Sequence, residues 1–175
     1  PLQKWARRMG LGPRTGIDVP GEFGGTIPDA AWREALNRRE AACRKKEHRP
    51  CGYADGTNRP WTVGDEVGLA IGQGDVQATP LQMAVAYSAL ANGNRRVRPH
   101  LGAAVEDAGG RLLQRIEPGS SKPIKFDPVA RQTILDGLHD ATLTGTSAEV
   151  WKGWDQDRFP VYGKTGTAQR NNRPD

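Results

Sequence analysis

The chain has 175 residues, a formal net charge of +5 and 36% hydrophobic residues, enough for one domain or a large piece of one. No run of 18 or more apolar residues occurs, so no segment reads as a membrane-spanning helix, and the basic first ten residues lack the apolar core of a signal peptide. The positive charge is either a solvated surface or an attraction to anionic polymers. Nucleic acid is not expected as a partner, because the densest basic stretch, Arg38–Arg49, holds no aromatic residue.

Residues 1–28 mix Gly and Pro with short apolar pieces, and Thr15–Glu22 reads as a strand-like run between turns. The first residue is not Met, which suggests a chain that starts within a longer protein, with any membrane anchor upstream. Asp29 can cap a helix that places Trp32 and Leu36 on one face and grades into the charged segment around Arg38–Arg49. Residues 50–65 read as a loop. Cys43 and Cys51 fit no CxxC pattern. They admit a short-loop disulfide outside the cytoplasm, contributing about 2–3 kcal/mol, a Cys/His/Cys zinc site with His48, or two free thiols. Cys43-Arg-Lys-Lys46 superficially resembles a nucleophile-x-x-Lys element, but its charged, loop-like setting argues against catalysis.

The clearest element starts at Thr79. Thr79-Pro80-Leu81-Gln82 combines a capping Thr, a Pro at the first helical position and a Gln three residues after the cap. Leu81, Ala84, Val85 and Leu90 follow, and Gly93 closes the helix. Apolar almost all round, this helix is expected to be buried scaffold. A hairpin comes next, with arms at 99–105 and 111–116 around Asp107-Ala108-Gly109-Gly110. Residues 117–125 read as a loop. Asp127-Pro128 opens a second helix with Ile134, Leu135, Leu138 and Thr142 on one face. Gly145-Thr146-Ser147 breaks it, with Thr146 read as a cap before a short helix to about Trp151. Trp32 and Trp61 are expected to be packing anchors, and the three histidines, His48, His100 and His139, suggest no triad.

Phe159-Pro160-Val161-Tyr162 then leads into Gly163-Lys164-Thr165-Gly166-Thr167. Lys-Thr-Gly belongs to a set with S-x-x-K and S-x-N in penicillin-binding proteins and serine β-lactamases. On a strand, Lys164 and Gly166 share one face and Thr165 and Thr167 the other. A twisted or bulged edge strand at a cleft could still bring the ammonium and a hydroxyl to one ligand. An ammonium and hydroxyls suit a carboxylate, each bond to a charged group contributing about 1.5–3 kcal/mol. Gly166 leaves room for a ligand backbone, and an N–H after it could serve an oxyanion hole.

The rest of the chain resembles the class B penicillin-binding proteins, in the family's order. Gly12–Glu22 is similar to its G-x-x-TGIDLPGE segment. Trp61, Gly64 and Asp65 fit W-x-x-GD. Ile71-Gly72-Gln73-Gly74, Thr79–Ala84 with Tyr87, and Ala91-Asn92-Gly93 resemble its IGQG, TPLQMA and ANGG run. Pro99-His100-Leu101, Gly145-Thr146 and Gly163–Gln169 complete it. The forms look most like the elongation-type, rod-shape branch. Asn94 stands where the family usually has a second Gly, and the 38–59 insert with its cysteines is not a family hallmark.

The resemblance implies an α/β fold of the α+β type, an antiparallel sheet flanked by helices. It implies a peptidoglycan D,D-transpeptidase acting through an acyl-serine, with the domain outside the cytoplasmic membrane. Lys164 would position and polarise the S-x-N serine. Thr165 and Thr167, with Gly166 leaving space, would bind the carboxylate of substrate or β-lactam. Partners implied are peptidoglycan stem peptides, β-lactams and membrane proteins of the elongation complex; no metal or organic cofactor is implied. The only serines are Ser88, Ser120, Ser121 and Ser147, none followed by Lys at three or Asn at two. Residues 1–175 therefore read as a partial domain lacking S-x-x-K, S-x-N and the strands after KTGT, inactive and marginally stable alone. Alternatives are a β-lactamase or D,D-carboxypeptidase relative, or a non-catalytic β-lactam-binding sensor domain.

Overall fold

A computed structural model describes residues 1–166. Five helices carry most of the regular structure: α1 (Leu2–Met9), α2 (Ala30–Glu47), α3 (Val63–Ala70), α4 (Pro80–Ala91) and α5 (Pro128–Leu143). Four short strands form two antiparallel pairs: β1 (Arg95–Arg96) with β4 (Lys122–Pro123), and β2 (Ala104–Glu106) with β3 (Leu112–Arg115). A 3-10 turn, Ala148–Trp151, follows α5. Among the described residues, no helix is long and apolar enough to cross a membrane.

The capping signals act as the sequence requires. Thr79 and Gln82 close a reciprocal capping box with Pro80 at the first position of α4. Asp29 accepts from Trp32 N–H at the start of α2, and Asp127 from Ala130 N–H at the start of α5. The 107–110 turn is tied by Asp107, whose Oδ1 accepts from Gly109 and Arg111 N–H, both at 3.0 Å. β2 and β3 pair across it with a bulge at Val105/Glu106.

α4 centres the core. Val85, Ala86, Ala89 and Leu90 are buried with Ile27, Leu69 and Ile124. Its other side is open, Met83 and Tyr87 being exposed, which corrects the expectation of an all-round buried helix. Tyr87 and Ala91 on that side border a cavity of about 470 Å³ walled by Arg131, Leu135 and Leu138 of α5, so burial is one-sided despite the apolar composition.

Four further expectations change. Thr15–Glu22 forms no strand, because Glu22 closes it on itself: its Oε1 accepts from Thr15 N–H (2.5 Å) and Oγ1 (2.6 Å), and its Oε2 from Gly16 N–H (2.9 Å). Residues 63–65 are not loop; Thr62 and Asp65 make a second capping box that starts α3. α1 forms where only a basic stretch was read, with Trp5 stacked on Phe126 at 5.5 Å and Gly10 capping it at φ 105°. Lys122–Pro123 within the expected 117–125 loop is strand, two residues being too short a run for periodicity to show.

Cys43 and Cys51 form a disulfide. That excludes the free-thiol reading and leaves no thiolates for a zinc site with His48. The loop is also held by Glu40, a fully buried carboxylate on α2. Glu40 accepts from Arg44 Nε (2.6 Å), Cys51 N–H (3.0 Å) and Tyr53 N–H (2.9 Å). These bonds, led by that from Arg44, hold its pKa down to about 2 against the pull of burial.

Candidate functional site

The last turn of α5 positions the Lys-Thr-Gly segment. Thr142 is buried, and its hydroxyl lies 2.7 Å from the His139 carbonyl and 2.8 Å from that of Val161. Gly163 N–H donates to Leu138 O at 3.0 Å, and Val161 N–H to Gln156 Oε1 at 2.8 Å. His139 stacks on Tyr162 at 5.1 Å. Residues 161–166 are thus docked on a helix, not paired in a sheet, and form no strand. This corrects the strand expectation for Lys164–Gly166: the helix end and Gln156 take the polar groups of Val161 and Gly163 that a ladder would otherwise use.

The expected meeting of ammonium and hydroxyl occurs without a strand. Lys164 Nζ donates to Thr165 O at 2.9 Å and lies 3.2 Å from Thr165 Oγ1. Thr165 Oγ1 is in turn 2.8 Å from Thr146 Oγ1. Lys164, Thr165 and Gly166 are exposed, and Lys164 makes no ion pair among the described residues. A side chain at Gly166 would meet nothing within 4 Å. One cation and two hydroxyls therefore gather at an open surface, a donor set matched to a carboxylate. Thr167 lies outside the described residues.

Thr146 is the residue that sequence reasoning misassigned. It does not cap the 3-10 turn, whose cap position is Ser147 without a side-chain capping bond; it faces Thr165. The signal was the Gly145-Thr146 pair. Gly145 lets the chain turn tightly past α5, because a side chain there would stand 2.8 Å from Ala141 Cα and 2.9 Å from its carbonyl oxygen. Among the described residues no group of three or more His, Cys, Asp or Glu is arranged for a metal ion.

The model of the penicillin binding protein transpeptidase domain matches residues 1–175. The chain belongs to that family. It is 30% identical to the peptidoglycan D,D-transpeptidase MrdA of Haemophilus influenzae over 174 residues, covering 96% of this chain and 22% of the relative. It is 28% identical to MrdA of Acinetobacter baumannii over 173 residues, covering 96% and 21%. A chain of the solved peptidoglycan synthase complex that coordinates polymerization and crosslinking superposes with TM-score 0.68 at 30% identity, covering 96% of this chain and 23% of that one. This transpeptidase-family chain thus spans about a fifth of the length of the curated relatives it matches, and it has their fold.

Several of the other family-like motifs make structural contacts. Gln82 of Thr79-Pro80-Leu81-Gln82 is fully buried and donates from Nε2 to Gly12 O (3.2 Å) and Pro13 O (2.7 Å), so α4 grips the Gly12–Glu22 segment. Asp18 of that segment accepts from Leu101 (2.8 Å) and Gly102 N–H (2.9 Å), which fixes the Pro99-His100-Leu101 stretch and lowers the Asp18 pKa. Trp61 and Asp65 frame α3: Trp61 Nε1 donates to Glu66 Oε2 at 2.9 Å. Asp65 pairs with Arg59 at 2.5 Å, the bond that does most to bring its pKa to about 2.

Proposed function

We propose that the chain is part of the transpeptidase domain of a longer peptidoglycan D,D-transpeptidase, and that Lys164, Thr165 and Thr167 grip the carboxylate of the stem peptide or of a β-lactam. The observation that carries this reading is the exposed cluster of Lys164 Nζ, Thr165 Oγ1 and Thr146 Oγ1, within a chain matched end to end by the transpeptidase family. Thr167 enters on the resemblance alone.

The attacking hydroxyl would come from a serine outside residues 1–175, since none of the four serines has the Lys or Asn spacing of the family. That serine adds to the carbonyl of the penultimate D-Ala, its proton passing to a neighbouring base. Collapse of the adduct forms an acyl-serine and releases the terminal D-Ala, and an amine of a neighbouring strand then takes the acyl group. Lys164 would hold the substrate carboxylate and orient the proton relay; an N–H after Gly166 would steady the oxyanion. The domain would lie on the outer side of the membrane; the Cys43–Cys51 disulfide supports this reading, since disulfides persist outside the cytoplasm. Membrane proteins of a peptidoglycan-synthesis complex are its proposed partners.

Fluorescent penicillin tests the proposal. The full-length protein should be labelled at one serine, slowly losing the label, and Lys164→Ala should reduce labelling by about tenfold or more. Residues 1–175 alone should not be labelled. Covalent labelling of this segment at any residue, or full labelling of Lys164→Ala, would overturn the assignment; rapid loss of label would make the protein a β-lactamase instead.

A further inference from the structure

Arg96 on β1 stands directly opposite Lys122 on β4 in an antiparallel ladder. Like charges facing each other across a strand pair destabilise it. Among the described residues, neither side chain pairs with a carboxylate, the usual remedy. The Arg96 guanidinium donates to main-chain carbonyls, Arg7 O at 3.1 Å and Arg8 O at 3.5 Å, which fix its position without neutralising it. The Lys122 ammonium is exposed and, among the described residues, makes no side-chain hydrogen bond or ion pair.

Two cavities share this pair as a common wall. One, of about 460 Å³, adds Lys4, Arg7 and Arg8 from α1. The other, of about 320 Å³, adds Arg14, Arg98 and the Ser120 hydroxyl. Neither is lined by an Asp or Glu among the described residues. Arg7 is paired with Asp29 at 2.6 Å. Glu22 stands near Arg14, but its oxygens are taken by Thr15 and Gly16. Arg98 is pinned to Gly16 O at 2.6 Å and Arg8 lies over the Trp5 ring, so both remain positive and oriented.

We infer that the Arg96–Lys122 pair and its two flanking cavities form a binding site for an anion with two linked phosphoryl groups. Two adjacent basic cavities with a shared wall supply two anion positions. In each, three or more cations converge, more than the two oxygens of a carboxylate can satisfy, whereas a phosphoryl group offers three acceptor oxygens. Guanidinium supplies the paired donors that phosphate geometry favours. The ligand would also relieve the facing charges, so the site is destabilised when empty and stabilised when filled. It is distinct from the Lys164–Thr165 cluster and does not depend on the function proposed above.

The test is calorimetric titration of the full-length protein with inorganic pyrophosphate at ~150 mM salt, where diffuse surface attraction is screened. Pyrophosphate should bind, Lys122→Gln should weaken it by about tenfold or more, and Lys45→Gln, which removes an equal charge from the surface of α2, should leave it unchanged. Lys122→Glu should abolish binding while raising the melting temperature, because the new carboxylate pairs with Arg96; a residue needed only for folding would not give that combination. Phosphatidylglycerol vesicles, compared with phosphatidylcholine vesicles, give the competing outcome: a phosphatidylglycerol headgroup carries a single phosphodiester, so vesicle binding with the same variant pattern and no pyrophosphate binding would overturn the assignment to linked phosphoryl groups in favour of a lipid surface. The inference fails if neither probe binds, if both glutamine variants weaken binding equally, or if succinate binds as tightly as pyrophosphate.

Discussion

The hydroxyl of Thr146, at the break after α5, lies 2.8 Å from that of Thr165, two residues bridged by the fold across 19 positions of sequence. Thr165 Oγ1 is thereby held between a hydroxyl and the Lys164 ammonium, 3.2 Å away. Replacing Thr146 by Val keeps the shape and removes the hydroxyl. Thr165 would keep its place in the chain but lose its orientation toward a carboxylate. The expected result is an acylation rate by penicillin lowered about tenfold, the scale of one bond to a charged group, with stability changed by less than about 0.5 kcal/mol because both residues are exposed. Thr146→Ser should restore most of the rate. An unchanged acylation rate in Thr146→Val would remove Thr146 from the site.

Gln82 makes a stability prediction of a different kind. Its Oε1 accepts from Thr79 N–H at 3.1 Å while its Nε2 serves the carbonyls of Gly12 and Pro13. Gln82→Leu would keep the volume but take the side-chain partner from Thr79 N–H and Pro13 O, while Gly12 O keeps Gly25 N–H at 2.7 Å, costing about 1.5–3 kcal/mol. Thr79→Ala, which removes only the cap, should cost about 1 kcal/mol. Chemical denaturation of the two variants would show the ranking, and equal losses would mean that Gln82 acts only as a cap.

How far these roles were legible depended on their range in sequence. The cap of α4 and the 107–110 turn are local, set by residue types within four positions, and both formed as read. The long-range half of Gln82, reaching 69 and 70 residues back, had no local signal. The strand reading of Lys164–Gly166 failed for a related reason: alternation describes a segment that finds a ladder partner, and Gly163 instead gives its N–H to Leu138. The chemistry of the cluster survived this change, because an adjacent Lys and Thr can meet through side-chain rotation alone. Thr146 was readable only as a neighbour of Gly145, and α1 was hidden by the basic residues that alternate with Leu2, Trp5 and Met9.

Asn94 occupies the left-handed region at φ 80°, at the position where the family usually carries a second Gly. A non-glycine residue there costs about 1–2 kcal/mol, less for Asn than for most. Its Oδ1 is moreover buried without a hydrogen-bond partner among the described residues. Asn94→Gly should therefore stabilise the protein by about 0.5–1 kcal/mol, read as a rise of about 1–4 °C in melting temperature. Asn94→Val, branched at Cβ, should lower it. A lower melting temperature for Asn94→Gly would mean that the Asn side chain contributes something other than conformational tolerance.

The Glu40 clamp ties the 38–59 insert to pH. Its carboxyl has a folded pKa of about 2 against an ordinary 4.5, so between those values the unfolded chain binds more protons than the folded one. Stability therefore rises with pH across this window: the contribution of Glu40 is complete above about 4.5 and is lost as pH falls toward 2. Asp65, lowered from 3.8 to about 2 chiefly by Arg59, adds a slope of the same sign. Glu40→Gln should destabilise most at neutral pH, where Arg44 and the N–H groups of Cys51 and Tyr53 lose a charged acceptor, and its deficit should shrink as pH drops from 4.5 to 2. Melting temperatures of both proteins from acid to neutral pH would show the curves converging. With Cys43–Cys51 intact the loop stays covalently closed, so the converging part belongs to the carboxylate; parallel curves would mean that Glu40 is not the titrating clamp.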